Sequence, residues 1–213
     1  KKLNVKVLKN SLVQDVNLNF ISDKNLTLIN SFNAKYQGFL ISKGSLSLKR
    51  DNQINIEGKF ESKFNLGADA ANKLFKKINV NFLEENKAKA KGLLLHDFAL
   101  KIDKNFRLVD YDYKSNGDIS DLQIVLKENF KNNFIDKPIK KFTASKINLE
   151  INLNKKNNLL KLNGLYNLGG VKNKKFKISH NLDKKKPKYF IDFDLAENIF
   201  LKFLNFKSNK KKG

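Results

Sequence analysis

From Ile147 to Asn154 the chain reads Ile-Asn-Leu-Glu-Ile-Asn-Leu-Asn, apolar at every odd position and polar at every even one. Only an extended strand, whose side chains project alternately to opposite faces, sorts such a sequence into one apolar row and one solvated row. The same alternation recurs in Val16/Leu18/Phe20, Leu26/Leu28, Phe39/Ile41, Leu46/Leu48, Ile54/Ile56, Ile78/Val80/Phe82, Phe98/Leu100/Ile102, Leu122/Ile124/Leu126, Leu160/Leu162, Phe176/Ile178 and Ile191/Phe193/Leu195. Central strands of a parallel α/β sheet are apolar on both faces, so that class is excluded. The separators are short and polar: Ser22 to Asn25, Lys43-Gly44, Arg50 to Asn52, Asn116 to Asp118, Asn154 to Asn158 and Asp183 to Pro187. They predict an antiparallel meander. Pro138 and Pro187 fall in connections, where a missing N–H interrupts no ladder. The expected fold class is all-β, mainly antiparallel, a curved open sheet or β-groove of repeated strands with one or two short amphipathic helices.

Two stretches leave this rhythm. Asp69 to Lys77 spaces Ala71, Leu74, Phe75 and then Ile78 three and four apart, with Asp69 as the N-cap, and Ala196 to Phe206 aligns Ala196, Ile199, Phe200, Phe203 and Leu204. Both predict amphipathic helices that cover a sheet end, with a surface that docks to membrane as the alternative. The expected division is strands over 1–68, a short helix over 69–77, strands over 78–195, a terminal helix over 196–206 and a basic tail over 207–213. With 213 residues, no Met and an opening Lys1-Lys2-Leu3 already in strand, the chain is expected to be a single β-rich segment of a longer protein. Ile54 to Phe60 and Leu160 to Tyr166 share the pattern apolar-x-apolar-x-Gly-x-aromatic. Glycine inside a strand marks a bulge or bend, so this echo predicts repeated curvature.

The formal charge is +22, and of the 43 Lys and Arg only Arg50 and Arg107 are Arg. Lysine lacks the planar fork that reads phosphate and guanine edges, so nucleic acid is not the expected partner, and solvated Lys on polar strand faces accounts for most of the charge. The absence of Cys excludes disulfides and Cys-ligated metals. No apolar run reaches the roughly 20 residues of a membrane-spanning helix. His96 and His180 are the only histidines and lack metal-ligand spacing; Glu84-Glu85 and Asp110/Asp112 read as solvated charge. Nucleophile elbows, phosphate-cradling loops and dinucleotide fingerprints are missing, and Gly169-Gly170 stands alone. Tyr111 and Tyr113, between Asp110 and Asp112, are the aromatics expected to be displayed. No enzymatic activity, cofactor or metal is therefore expected.

The last stretch carries a resemblance. Tyr189 to Leu195, Phe200 to Lys207 and Lys212-Gly213 run as a strand ending in Asp194-Leu195, an apolar segment, a Leu-x-aromatic-x-Lys cluster and a Gly. Together with the strand-Gly-strand-Gly-Gly unit of Leu160 to Gly170 and the strand pair of Ile41 to Leu66, this resembles the C-terminal β-rich region of the AsmA-like family, bacterial envelope proteins of the YhdP/TamB type. Phe206 stands where that family often has Trp, and the spacing from Lys to Gly is longer. The resemblance implies a periplasmic location, tethered to the inner membrane by an anchor outside this segment, and transfer of phospholipid between inner and outer membranes along a hydrophobic groove. The implied partners are phospholipid acyl chains, a membrane surface and other envelope proteins. Phe98, Leu100 and Ile102 and the row Ile147, Leu149, Ile151 and Leu153 are the candidate groove walls, and Lys207, Lys210, Lys211 and Lys212 the candidate headgroup contacts. Two alternatives stay open: a closed-core structural or assembly module of the envelope, and a basic domain for nucleic acid or another polyanion.

Overall fold

The computed structural model describes residues 3–8, 11–77, 84, 87–130, 138–156, 158–168, 171–181, 188–194, 200–201 and 206–207. Eleven strands follow one another as β1 (Leu3–Leu8), β2 (Ser11–Ser22), β3 (Leu26–Tyr36), β4 (Phe39–Arg50), β5 (Ile54–Leu66), β6 (Lys89–Ile102), β7 (Leu108–Phe130), β8 (Ile139–Asn154), β9 (Asn158–Leu168), β10 (Val171–Asn181) and β11 (Lys188–Phe193). They form one antiparallel sheet whose spatial order is the chain order, from β1 at one edge to β11 at the other. The all-β, open and curved class expected from alternation is the class observed. One helix, α1 (Ala68–Lys77), interrupts the meander between β5 and β6. It starts one residue earlier than its spacing implied: the Gly67 carbonyl accepts the Ala71 N–H, and Asp69 sits in the first turn, not at the cap.

Cross-strand register puts the apolar rows on one face. Ile56 lies opposite Leu48 and Leu100, and Leu100 opposite Tyr111; farther along, Ile119 faces Ile147, Leu149 faces Leu162, and Ile178 joins Leu162 to Ile191. The reverse face carries Lys59 opposite Asp97 and Glu150 opposite Lys161, pairs that close to 3.2 Å and 3.1 Å. Such exposed pairs each contribute only ~0.2–1 kcal/mol, and they set register more than stability.

Two repeated devices shape the sheet. Within strands, Gly44, Gly58, Gly92 and Gly164 lie directly opposite Phe32, Phe98, Phe64 and Phe176, and each ring lies within 3.1 Å of where a glycine Cβ would stand, joined by the Asp118 carbonyl at position 92 and the Ile147 backbone at position 164. The echo between Ile54–Phe60 and Leu160–Tyr166 is thus structural, with Gly58 under Phe98 and Gly164 under Phe176. The second device is a set of bulges, at Asp15, Lys43, Lys146 and Asn173, each with φ between 49° and 57° and each at a register shift. A bulge bends its strand and sharpens the local twist, so glycines and bulges together curve the sheet.

Several expectations are corrected. Lys43-Gly44 is the bulge inside β4, and Asn116 to Asp118 runs straight through the 23-residue β7, where Gly117 lets the Leu93 backbone approach closely. Polar residues beside glycine look alike in a turn and in a bulge, which is why composition misplaced both. Leu26 and Leu28 pair with Lys49 and Ser47 on the polar side, while Thr27 and Ile29 face Leu48 and Leu46 on the apolar side. Phe200–Leu201 and Phe206–Lys207 form a small antiparallel ladder, so no helix exists at these residues; a short Phe-rich run suits a pleated ladder as well as a helical stripe. The remainder of 196–206, Ile78 to Phe82, Gly169-Gly170, Asp183 to Pro187 and Leu195 lie outside the described residues.

A Cβ at position 92 would come within 2.5 Å of the Asp118 carbonyl and 2.7 Å of the Phe64 ring, whereas position 67 has open space around it. Gly92→Ala is expected to destabilise the chain by about 1–3 kcal/mol in urea unfolding, and Gly67→Ser to stay within about 0.5 kcal/mol of the parent.

Candidate functional site

The seven candidate wall residues all fall on the apolar face, in two rows separated by one strand. Phe98, Leu100 and Ile102 on β6 face Tyr113, Tyr111 and Leu108 on β7. Across β7, Tyr113, Ser115, Gly117 and Ile119 face Leu153, Ile151, Leu149 and Ile147 on β8, so Tyr113 bridges Phe98 to Leu153. Tyr111 and Tyr113, expected on display, are half-buried members of this face. The four Lys assigned to headgroups divide differently: Lys207 belongs to β13 (Phe206–Lys207), which pairs with β12 (Phe200–Leu201), and Lys210, Lys211 and Lys212 lie outside the described residues.

The two ends of the face differ. At one end Phe64 and Leu66 of β5 pack with Ala71 and Leu74 of α1 and with Ala88, and beside them Ala144, Ile147, Tyr166 and Phe176 form a second buried cluster. Ile147 is 1% exposed there. Rings from alternate strands meet over the strand between them: Tyr166 and Phe193 at 5.2 Å, Phe32 and Phe60 at 6.2 Å. Their backbones stand two ladder spacings, about 10 Å, apart, so the apolar face draws inward at these points. Toward the other end Leu48, Ile56, Leu100, Ile102, Leu153 and Leu160 are only half-covered, and Phe20, Leu108, Tyr189 and Ile191 are exposed. Among the described residues no second sheet lies over this face.

One polar island interrupts it. His96 Nε2 lies 2.6 Å from the Ser62 hydroxyl and Nδ1 2.8 Å from the Tyr113 hydroxyl, while Phe60 stacks on the imidazole with centroids 4.3 Å apart. Ser62 is 3% exposed and Ser115, opposite His96 on β7, 2%; the Ser115 hydroxyl finds no hydrogen-bond partner among the described residues. The chain of bonds runs in either direction, since each hydroxyl can donate to or accept from the ring according to its tautomer. Burial holds His96 below the ordinary histidine range and pushes the Tyr113 phenol up, an effect that the nearby Ser115 hydroxyl opposes. Serine, imidazole and an orienting third group at these distances also occur where serine is a nucleophile. Here Ser62 sits mid-strand, laddered to Ile41 and Leu94 on its two sides. Acyl transfer also needs free N–H donors around the reacting carbonyl, and a paired ladder offers none at this point. The arrangement is a half-buried hydrogen-bonded station in an apolar surface. Sequence reading passed over it, although Ser62, His96 and Ser115 stand in the apolar phase of their strands, which was the available signal.

On the reverse face a depression of about 540 Å³ is walled by Lys43, Lys59, Glu61, Asp97, Lys114 and Glu150. Lys43 and Glu61 pair at 2.9 Å and Lys59 and Asp97 at 3.2 Å, so this charge is largely matched. Glu84 is held below the usual carboxylate range by Lys87 and Lys140, at 2.7 Å and 3.1 Å. Among the described residues no three His, Asp or Glu side chains converge as metal ligands, and no helix is long and apolar enough to cross a membrane.

No charged group faces His96 from β5 or β7, its partners there being Phe60, Ser62, Tyr113 and Ser115. Its pKa is lowered on folding, so the unfolded chain takes up a proton first as pH falls, and the stabilisation from the neutral ring, complete above the unfolded value of 6.5, is lost below it. Urea midpoints are expected to decline from pH 7.5 to 5.5, above the main carboxylate range, and to decline less steeply in His96→Gln. Comparison of the chain with protein-family models, with curated proteins and with solved structures finds no match.

Proposed function

We propose that the apolar face is a non-enzymatic groove that holds phospholipid acyl chains, in a segment of a bacterial envelope protein that passes lipid between inner and outer membranes. The observation that carries this reading is the one-sided apolar face, which runs from β2 to β11 around the His96 station and lacks a second layer among the described residues. The chain's accessible surface is 15440 Å², against about 10,000 Å² for a compact monomer of its mass. Half-covered Leu, Ile and Phe in a row supply binding by area alone, roughly 0.8 kcal/mol for each methylene shielded, without a polar clamp. The His96 station adds a point where a polar group can be met without leaving a bare donor or acceptor against an acyl chain. The envelope location and the direction between membranes rest on the AsmA-like resemblance. A closed-core module is the second reading, favoured by the buried cluster around Ile147 and by α1 over Leu66, which resemble ordinary core at that end.

Chain purified without detergent, extracted with organic solvent and analysed by mass spectrometry is expected to yield near-stoichiometric phospholipid. Leu100→Gln, at a half-covered wall position, is expected to lower that yield several-fold with little change in urea midpoint, while Ile147→Asp unfolds the chain. A stable, lipid-free parent protein sinks the groove and leaves the scaffold.

A further inference from the structure

We infer that the uncovered end of the apolar face is a docking rim for an anionic phospholipid bilayer, with Phe106 as its inserted anchor. In an antiparallel meander, alternate turns fall at the same end of the sheet. The described turns at this end are 23–25, 51–53, 103–107 and 155–156, and the Arg50 N–H donating to the Asn25 carbonyl at 2.7 Å ties the first two together. Of the ten large hydrophobic side chains that the described residues leave exposed, seven lie at this end of the sheet: Phe20, Leu108, Tyr189 and Ile191 on the apolar face, Phe106 in its turn, and Ile21 and Phe190 on the reverse face. The opposite end is where α1 packs.

Phe106 departs from local preference twice. It is 81% exposed at the tip of its turn, and its φ is 58°, a left-handed conformation that Asn and Gly adopt readily and Phe rarely does. The turn itself does not need the ring. It is closed by the backbone of Asp103, whose N–H donates to the Arg107 carbonyl and whose carbonyl accepts the Phe106 N–H, both at 3.0 Å. A residue that breaks a local rule without benefit to the fold is a mark of an interaction site.

Charge identifies the occupant. The turns carry Lys24, Arg50, Lys104, Arg107, Lys155 and Lys156, all exposed, against the carboxylates of Asp23, Asp51 and Asp103. Two of those carboxylates are turned to the backbone: Asp23 Oδ1 accepts the N–H groups of Asn25 and Leu26, and Asp103 Oδ1 those of Asn105 and Arg107. None of Lys24, Lys104, Arg107, Lys155 and Lys156 enters an ion pair among the described residues. An exposed aromatic ring between Lys104 and Arg107, amid further apolar side chains, matches the chemistry of a negatively charged lipid interface, where cations meet headgroups and the ring enters the acyl boundary. This extends the groove reading by giving the groove a mouth on a membrane, yet the two fail separately.

The test is flotation of the full chain with vesicles of phosphatidylcholine alone and of phosphatidylcholine with about 30% phosphatidylglycerol. Partition into the anionic vesicles and its weakening by salt are expected. Phe106→Asn should lower that partition about tenfold while leaving the urea midpoint unchanged or higher, because Asn suits the left-handed turn. The pair Lys104→Glu and Arg107→Glu should lower it as much and flatten the salt dependence, and Leu95→Asn, exposed on the reverse face, should leave it within about twofold. No partition, or partition indifferent to Phe106, overturns the rim; so does tighter, Phe106-dependent binding to a single-stranded RNA, which reassigns it to a polyanion. Phospholipid retained on the same preparations reports the groove independently. Lipid-loaded chain that ignores vesicles removes the rim alone, and lipid-free chain that docks through Phe106 removes the groove alone.

Discussion

Backbone hydrogen bonding between each strand and the next in sequence carries this structure, since among the described residues no strand of the large sheet is laddered to any but its chain neighbours. The two edges never meet, so closure into a barrel is not available to hide the apolar rows. What hides them, where they are hidden, is local: α1 laid over Leu66 and Phe64, and rings leaning across neighbouring strands. The Phe–Gly pairs follow from the same constraint. A ring laid over a glycine recovers apolar contact on the face while the missing Cβ lets the strand bend, and four repetitions distribute that bend along the sheet.

This dependence on neighbours also sets the energetics. A stacked second sheet would remove most of the apolar row from water; here many of its members keep partial exposure, and the surface area is half as large again as a compact chain would show. Apolar side chains left in that condition lower the gain from folding. Polar groups drawn into the face make that tighter, and the Ser62–His96–Tyr113 bonds keep three of them from going unpaired in its middle.

Alternation made most of the sheet legible, because burial on one face imposes a period of two that composition bias cannot imitate over eleven strands. It failed at Lys43-Gly44 and Asn116 to Asp118, where glycine beside polar residues signals either a turn or a bulge, and at Leu26/Leu28, where irregular pairing in β3 shifts which phase faces inward. The helix over Ala68–Lys77 was legible from three- and four-residue spacing. That the two candidate rows share the apolar face was legible for the same reason as the strands. Which end of the face would be covered was not, because that depends on where a helix lands relative to alternate turns. Nor was the exposed, left-handed placement of Phe106, whose conformation no residue count reveals.

The serial layout has a mechanical consequence. The first and last strands of the sheet lie at opposite edges, so tension applied between them pulls across the strands and loads the ladder one pair at a time. Such a sheet peels from an edge at low force and re-zips by the same route, in contrast to sheets whose terminal strands are sheared lengthwise and give way together. A molecule stretched between two anchors would lengthen hairpin by hairpin, keeping the interior strands intact while its margins yield.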